Sequence, residues 1–388
     1  MGFGKKTLTG LLTGIVIFFT LCPSFHASVG GIDVTSPSAI VMDQKTGRIF
    51  YEKNIHEKRR IASITKIMTA IIAIESGKLN ETVRVSEQAV RTEGSSVYLM
   101  PGEKIKLEDL VYGLMLRSGN DAAVAIAEHV GGSVEGFVFL MNEKAQQIGM
   151  KNTHFANPHG LDDHEDHYST AYDMAILTKY AMENETFRKI SAAKVHYAPD
   201  PNGDWQRKWV NKNRLLTELY KYSTGGKTGY TKRAKRTLVS TASKDGMDLI
   251  AVTLNNPSQS DWTDHIRMFE YVFDHYDYYE VLPAGKIKKI DNNVYKDEAY
   301  LARNFVYPIK EEEKDLFEVH YRLKKPKKGW AENKERIPEI IGKADVYFDG
   351  QKIRSIPVYY KHRDEKDGTI NKYFKQIFNS FTGVRIYD

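Results

Sequence analysis

The stretch Ile61-Ala62-Ser63-Ile64-Thr65-Lys66-Ile67-Met68-Thr69-Ala70-Ile71-Ile72 carries two signals at once. Its apolar residues Ile64, Ile67, Met68, Ile71 and Ile72 recur at the period of a helix with a buried face, and Gly77 supplies a stop. At the start of that helix a hydroxyl and an amine, Ser63 and Lys66, stand three residues apart, close enough to hydrogen-bond on adjacent turns. A serine alone is a poor nucleophile and needs a base beside it. Lysine can be that base if burial and a neighbouring cation lower its pKa, because both disfavour the charged amine. Taken alone the pair is weak evidence, since a capping serine followed by a surface lysine has the same spacing.

Working outward, Ser118-Gly119-Asn120 follows an apolar helical run at 107–116 and precedes a helical stretch at 121–130. Gly226-Lys227-Thr228-Gly229 lies on a strand predicted at 226–231, followed by strands at 236–243 and 247–255 joined through Lys244-Asp245-Gly246. Near the other end, Ala39-Ile40-Val41-Met42 and Arg48-Ile49-Phe50-Tyr51 flank Lys45-Thr46-Gly47, a second hairpin signal. A helix at 261–278 closes the unit. Strands at both ends with helices between them, from about 61 to 185, predict one sheet assembled from distant segments, an α+β domain over 32–280.

The flanks differ in composition. Residues 281–368 are rich in Lys, Glu and Tyr, with alternating runs such as Ala344-Asp345-Val346-Tyr347-Phe348 and Ser355-Ile356-Pro357-Val358-Tyr359-Tyr360, and predict a small all-β domain. Lys324-Lys325-Pro326-Lys327-Lys328 reads as a solvated loop. At 369–388, Ile370, Tyr373, Phe374, Ile377, Phe378 and Phe381 share one helical face opposite Lys372, Lys375 and Gln376, the pattern of an amphipathic helix at a membrane surface, or else of a terminal helix docked on the protein. At the N-terminus, Lys5 and Lys6 precede an apolar run from Leu8 to Leu21, Pro23 and the small residues after Ala27: an export signal over 1–27, cleaved near 27–31.

With 388 residues and 41% hydrophobic content, the chain is neither disordered nor a disulfide-stapled mini-protein. Its single cysteine, Cys22, falls in the signal, so thiol catalysis, disulfides and cysteine-zinc sites are excluded from the exported part. Without Lys5 and Lys6 there remain 54 basic against 50 acidic residues, a mild excess suited to an anionic wall or lipid surface. No basic run is interleaved with aromatics, so nucleic acid is not expected as a partner.

The ordered set S-x-x-K, S-x-N, K-T-G matches the signature of penicillin-recognising serine enzymes. Over its mature length the chain resembles the low-molecular-mass penicillin-binding proteins, serine-type D-alanyl-D-alanine carboxypeptidases. Within that family it looks most like the sporulation-associated members of endospore-forming Gram-positive bacteria. Asn157-Pro158-His159-Gly160-Leu161 adds to the resemblance. It implies a β-lactamase/transpeptidase-like catalytic domain acting on peptidoglycan stem peptides ending in D-Ala-D-Ala, with β-lactams as covalent inhibitors and no metal or organic cofactor. By resemblance Ser63 is the nucleophile, Lys66 its base and Ser118 a proton relay to the leaving D-alanine. Asn120 holds Lys66 and the substrate amide, while Lys227 supplies positive charge. Thr228 binds the terminal carboxylate within the Lys227-Thr228-Gly229 motif, and the backbone N–H groups of Ser63 and Tyr230 form the oxyanion hole. One departure stands out: Pro257-Ser258-Gln259-Ser260-Asp261-Trp262 lacks the arginine that relatives carry there for the substrate carboxylate.

Rival readings rest on other features. A class A β-lactamase needs a Glu-x-x-x-Asn water-activating pair between Ser118 and Lys227, and none is evident. His154, His159, Asp162, Asp163, His164 and His167 suggest a zinc site, yet without the tight helical spacing of a metallopeptidase. A P-loop would need glycine at Lys221. A β-lactam sensor or wall-binding protein that acylates without turnover is the non-enzymatic alternative.

Overall fold

In a computed structural model the described residues are 32–199, 206–288, 290 and 292–361. The predicted signal at 1–27 and amphipathic helix at 369–388 lie outside them. The chain opens with the expected hairpin, β1 (Ser38–Asp43) and β2 (Ile49–Lys53), and passes through a 3-10 turn (Ala62–Thr65) into α1 (Lys66–Glu75). A ribbon of β3 (Thr82–Arg84) and β4 (Lys104–Lys106) encloses the short α2 (Glu87–Val90) and leads into α3 (Leu107–Arg117), α4 (Asn120–Gly131) and α5 (Val134–Ile148). After α6 (Ala171–Glu183) and α7 (Glu185–Ser191) comes a second ribbon, β5 (Val195–Pro199) with β6 (Gln206–Val210). Then β7 (Ser223–Thr231), β8 (Lys235–Lys244), β9 (Met247–Asn256) and α8 (Asp261–His275) complete the unit.

The main sheet has the order β2-β1-β9-β8-β7, all antiparallel, so the N-terminal hairpin joins strands from the far end of the domain, Ala39 facing Thr253. Both sheet faces are covered. Ala39, Val41, Leu249 and Ala251 pack with Trp262, Met268 and Phe269 of α8, while Ile40, Met42, Ile250 and Val252 join the core around α1. Burial on two faces explains why β1 reads as an apolar run rather than an alternation. Helix α1 is likewise wrapped on all sides, with every residue from Lys66 to Ile74 buried. The sequence marked one stripe; Lys66, Thr69, Ala70 and Ala73 bury the opposite side. Placing Lys66 on this helix takes its amine out of water.

The helix expected at 261–278 stops at His275, because Asp277-Tyr278-Tyr279-Glu280-Val281-Leu282 pairs as a strand with 305–309. That strand, β10 (Asp277–Leu282), begins a β-rich second unit with β11 (Gly285–Lys286), β12 (Ala299–Leu301), β13 (Phe305–Ile309), β14 (Phe317–Leu323), β15 (Ile340–Phe348) and β16 (Gln351–Tyr360). Five of its strands run β11-β12-β16-β15-β14 and β10 pairs β13, around Tyr295, Trp330, Ile341, Val346 and Val358. The lysine-rich segment at 324–328 is an exposed connection between β14 and β15. Arg48 ties the two units, donating to Pro308 O at 2.5 Å and to Glu313 Oε1 at 2.7 Å.

Candidate active site

A cavity of about 380 Å³ is lined by Ser63, Ser95, Ser118, Lys212, Arg214, Thr228, Gly229, Tyr230, Arg236, Gln259 and Trp262, so all three motifs reach it. A larger cleft of about 480 Å³ between the β1–β2 turn and the second unit contains none of them.

Ser63 sits on the 3-10 turn before α1, and Ala62 just ahead of it has a φ of +48°, rare for a residue with a Cβ. Lys66 begins α1 with no exposed surface. Its Nζ lies 3.0 Å from Ser63 Oγ, 2.7 Å from Asn120 Oδ1 and 2.6 Å from His159 O. A neutral amine has two N–H groups and one lone pair. The two carbonyl oxygens can only accept, so they take both hydrogens and leave the lone pair for the Ser63 hydroxyl. Asn120, at the start of α4, is itself held by its Nδ2, which donates to Glu93 O at 2.5 Å. Next to it, the buried carboxylate of Asp121 accepts from Ser96 Oγ, Val97 N and Leu99 N and so ties down the adjoining loop. Ser118 ends α3 in the left-handed conformation, φ +66°, and is 6% exposed.

The third motif lies on β7, an edge strand with one side unpaired. Two glycines let it approach. A Cβ on Gly226 would come 2.1 Å from Val239 O, and one on Gly229 would lie 2.9 Å from Ser63 N. Lys227 is 2% exposed and donates to Thr228 O at 2.8 Å. Tyr230 is 62% exposed at the rim.

Burial, and then the nearby Lys227 charge, push the Lys66 amine well below its ordinary pKa. Lys227 is lowered to about 7, by burial first and then by Lys212. A carboxylate arriving beside Lys227 favours its charged form, which in turn helps keep Lys66 neutral.

The structure thus brings together all eight residues singled out from the sequence: Ser63, Lys66 and Asn120 by direct contact, Ser118, Thr228, Gly229 and Tyr230 on the cavity wall, and Lys227 just behind it. Sequence reasoning missed Arg236. It stands opposite Tyr230 across the β7–β8 pair, its Nε donates to Asp261 Oδ1 at 2.9 Å, and its guanidinium lies over the Trp262 ring. Arg236 lines the cavity, and among the described residues its side chain's one hydrogen bond is made by Nε. Counting register across the predicted hairpin would have found it. The histidine- and aspartate-rich segment does not converge: Asp163 accepts from Asn157, Asp162 faces Arg60, His167 is buried against Thr65, and His159 offers its carbonyl to Lys66. Among the described residues no group of three or more His, Cys, Asp or Glu could hold a metal.

Residues 25–258 match the D-alanyl-D-alanine carboxypeptidase family, and residues 276–366 match the penicillin-binding protein 5 C-terminal domain. The D-alanyl-D-alanine carboxypeptidase DacF of Bacillus subtilis is 38% identical over 284 residues, 70% of this chain and 72% of its own length. DacA of Haemophilus influenzae, a D-alanyl-D-alanine carboxypeptidase, is 30% identical over 83% of each chain. The crystal structure of penicillin binding protein 5 from Haemophilus influenzae superposes with a TM-score of 0.69 at 28% identity, covering 86% of this chain and 98% of that one. With both units accounted for, the chain belongs to the D-alanyl-D-alanine carboxypeptidase family and carries a penicillin-binding protein 5 type C-terminal domain at 276–366.

Proposed function

We propose that this carboxypeptidase works through a Ser63 acyl-enzyme formed with Lys66 as base. The observation that carries the reading is the buried amine 3.0 Å from Ser63 Oγ with both its hydrogens engaged by acceptors. Lys66 takes the Ser63 proton while Oγ adds to the carbonyl between the two D-alanines of a stem peptide. The oxyanion is met by the N–H groups of Ser63 and Tyr230. Collapse breaks the C–N bond, and the departing D-alanine nitrogen receives a proton through Ser118. Water then attacks the Ser63 ester, restoring the hydroxyl and releasing the shortened peptide. Release of free D-alanine from diacetyl-Lys-D-Ala-D-Ala tests this; acylation by penicillin without such release would favour the sensor.

Lys227 keeps the base neutral and Thr228 receives the substrate carboxylate. Lys227→Ala removes one cause of the low Lys66 pKa, so that pKa rises. The acid limb of the acylation rate then moves to higher pH, and part of the loss at pH 7 returns in alkaline buffer. A loss equal at every pH would contradict this role.

Arg236 supplies the carboxylate grip absent from the 257–262 loop, its two terminal nitrogens offering a fork while Nε stays on Asp261. A charge-assisted bond contributes about 1.5–3 kcal/mol. Arg236→Gln therefore raises KM for a peptide with a free terminal carboxylate by roughly 10–100-fold. The same substrate extended beyond that carboxylate changes little. Equal effects on both would remove Arg236 from this role.

Export by the 1–27 signal and attachment by the 369–388 helix would place the enzyme on the outer membrane face, next to its polymer. Deleting 369–388 is expected to shift it from the membrane to the soluble fraction. A role in sporulation, implied by the resemblance to sporulation-associated members of the family, would be tested by expression timing.

A further inference from the structure

We infer that His167 is a positioning residue for Ser63: acting through Thr65, it fixes the Ala62–Ser63 peptide and so aims the Ser63 N–H at the forming oxyanion. This rests on the reading of Ser63 as nucleophile.

Three bonds in series carry it, and their directions follow from chemistry. Ala156 N, which can only donate, gives its hydrogen to His167 Nδ1 at 3.0 Å. The uncharged ring therefore carries its own hydrogen on Nε2, which donates to Thr65 Oγ1 at 2.8 Å. The Thr65 hydroxyl spends its hydrogen on Ala62 O at 2.7 Å. His167 is 2% exposed, Thr65 has no exposed surface, and the Phe155 ring packs against the imidazole, so water does not compete for these groups.

The carbonyl so held belongs to a peptide that would not choose this orientation unaided. Ala62 has a φ of +48°, and Gly160 backs closely onto its carbonyl: a Cβ there would come 1.9 Å from Ala62 O and 2.8 Å from Thr65 Oγ1. In a trans peptide the C=O and the next N–H point in opposite directions. Pinning Ala62 O on the Thr65 side therefore directs Ser63 N–H to the β7 side, where a Cβ on Gly229 would lie 2.9 Å from Ser63 N. His167 touches neither the cavity nor Lys66. It acts on the donor's direction, which matters once negative charge develops, and much less for ground-state binding.

The test uses the full chain with His167→Leu, His167→Gln and Thr65→Val, measuring penicillin acylation, kcat and KM for D-alanine release, and Tm. Losing an oxyanion donor outright costs about 10²–10³ in kcat. Mis-aiming one through His167→Leu is expected to cost roughly tenfold or more in kcat and acylation, with KM changed less than about twofold. His167→Gln, whose amide can donate from the Nε2 position, recovers most of the rate. Thr65→Val gives a similar loss, and combining it with His167→Leu adds little, because both cut one chain of bonds. If His167→Leu fails to fold, Thr65→Val alone decides. Equal rates for the Gln and Leu variants, additive losses, or changes confined to Tm or KM would overturn the proposal. A penicillin adduct away from Ser63 would instead overturn the reading beneath it.

Discussion

Lys66→Met is expected to slow both penicillin acylation and D-alanine release by about 10²–10⁴-fold or more, the range lost with a general base. The side chain is the one amine whose nitrogen contacts Ser63 Oγ among the described residues, and its other two contacts are acceptors that fix its orientation. Methionine keeps the volume and apolar stem within a helix buried on all sides, but offers nothing to receive a proton. The same change relieves the cost of burying an amine but leaves Asn120 Oδ1 and His159 O without their donor, so Tm should shift modestly while activity falls steeply. Lys66→Arg should be no better than Lys66→Met, because a guanidinium stays protonated in this setting and cannot act as base. The rate constant for penicillin acylation under excess antibiotic, read beside Tm, separates loss of the base from loss of fold. Near-normal acylation in a folded Lys66→Met protein would assign the base elsewhere.

The second large effect is on stability in acid. Burial lowers the pKa of His159, His167 and His265 to about 3 in each case, against about 6.5 when exposed. The folded form thus prefers neutral imidazoles. Their contribution is fully present above about pH 6.5 and is lost as pH falls toward 3, because only the unfolded chain can take up the protons. At pH 5 each site costs about 2 kcal/mol, and the three together about 6, a large share of a typical folding free energy of about 5–15 kcal/mol. Tm should therefore fall on the order of 10 °C between pH 7.5 and pH 5. An unchanged Tm over that interval would mean that these rings are charged or solvated in the folded protein.

Much of the fold was legible because its decisive signals are local. The Ile-rich period around Lys66, the apolar run before Ser118 and the hairpin chemistry at Lys244-Asp245-Gly246 each announce their element without help from tertiary contacts. The boundary at His275 was not legible, because 277–282 has no clear alternation and takes strand form by pairing with 305–309. Motif residues could be named because S-x-x-K, S-x-N and K-T-G occur in the order of a family signature; S-x-x-K by itself says only that two side chains share one helical turn. Arg236 needed the strand register, which sets it opposite Tyr230, and its orientation depends on Asp261 and Trp262 from another element. The role argued for His167 was hidden for the same reason. In sequence it is one of six metal-like side chains, and only the fold sets it against Thr65.

The most direct test of the central claim is to label the protein with penicillin, digest it and locate the added mass. The account predicts a single adduct on the peptide containing Ser63, absent from Ser63→Ala; an adduct on Ser118 or any other residue, or labelling that survives Ser63→Ala, would contradict it.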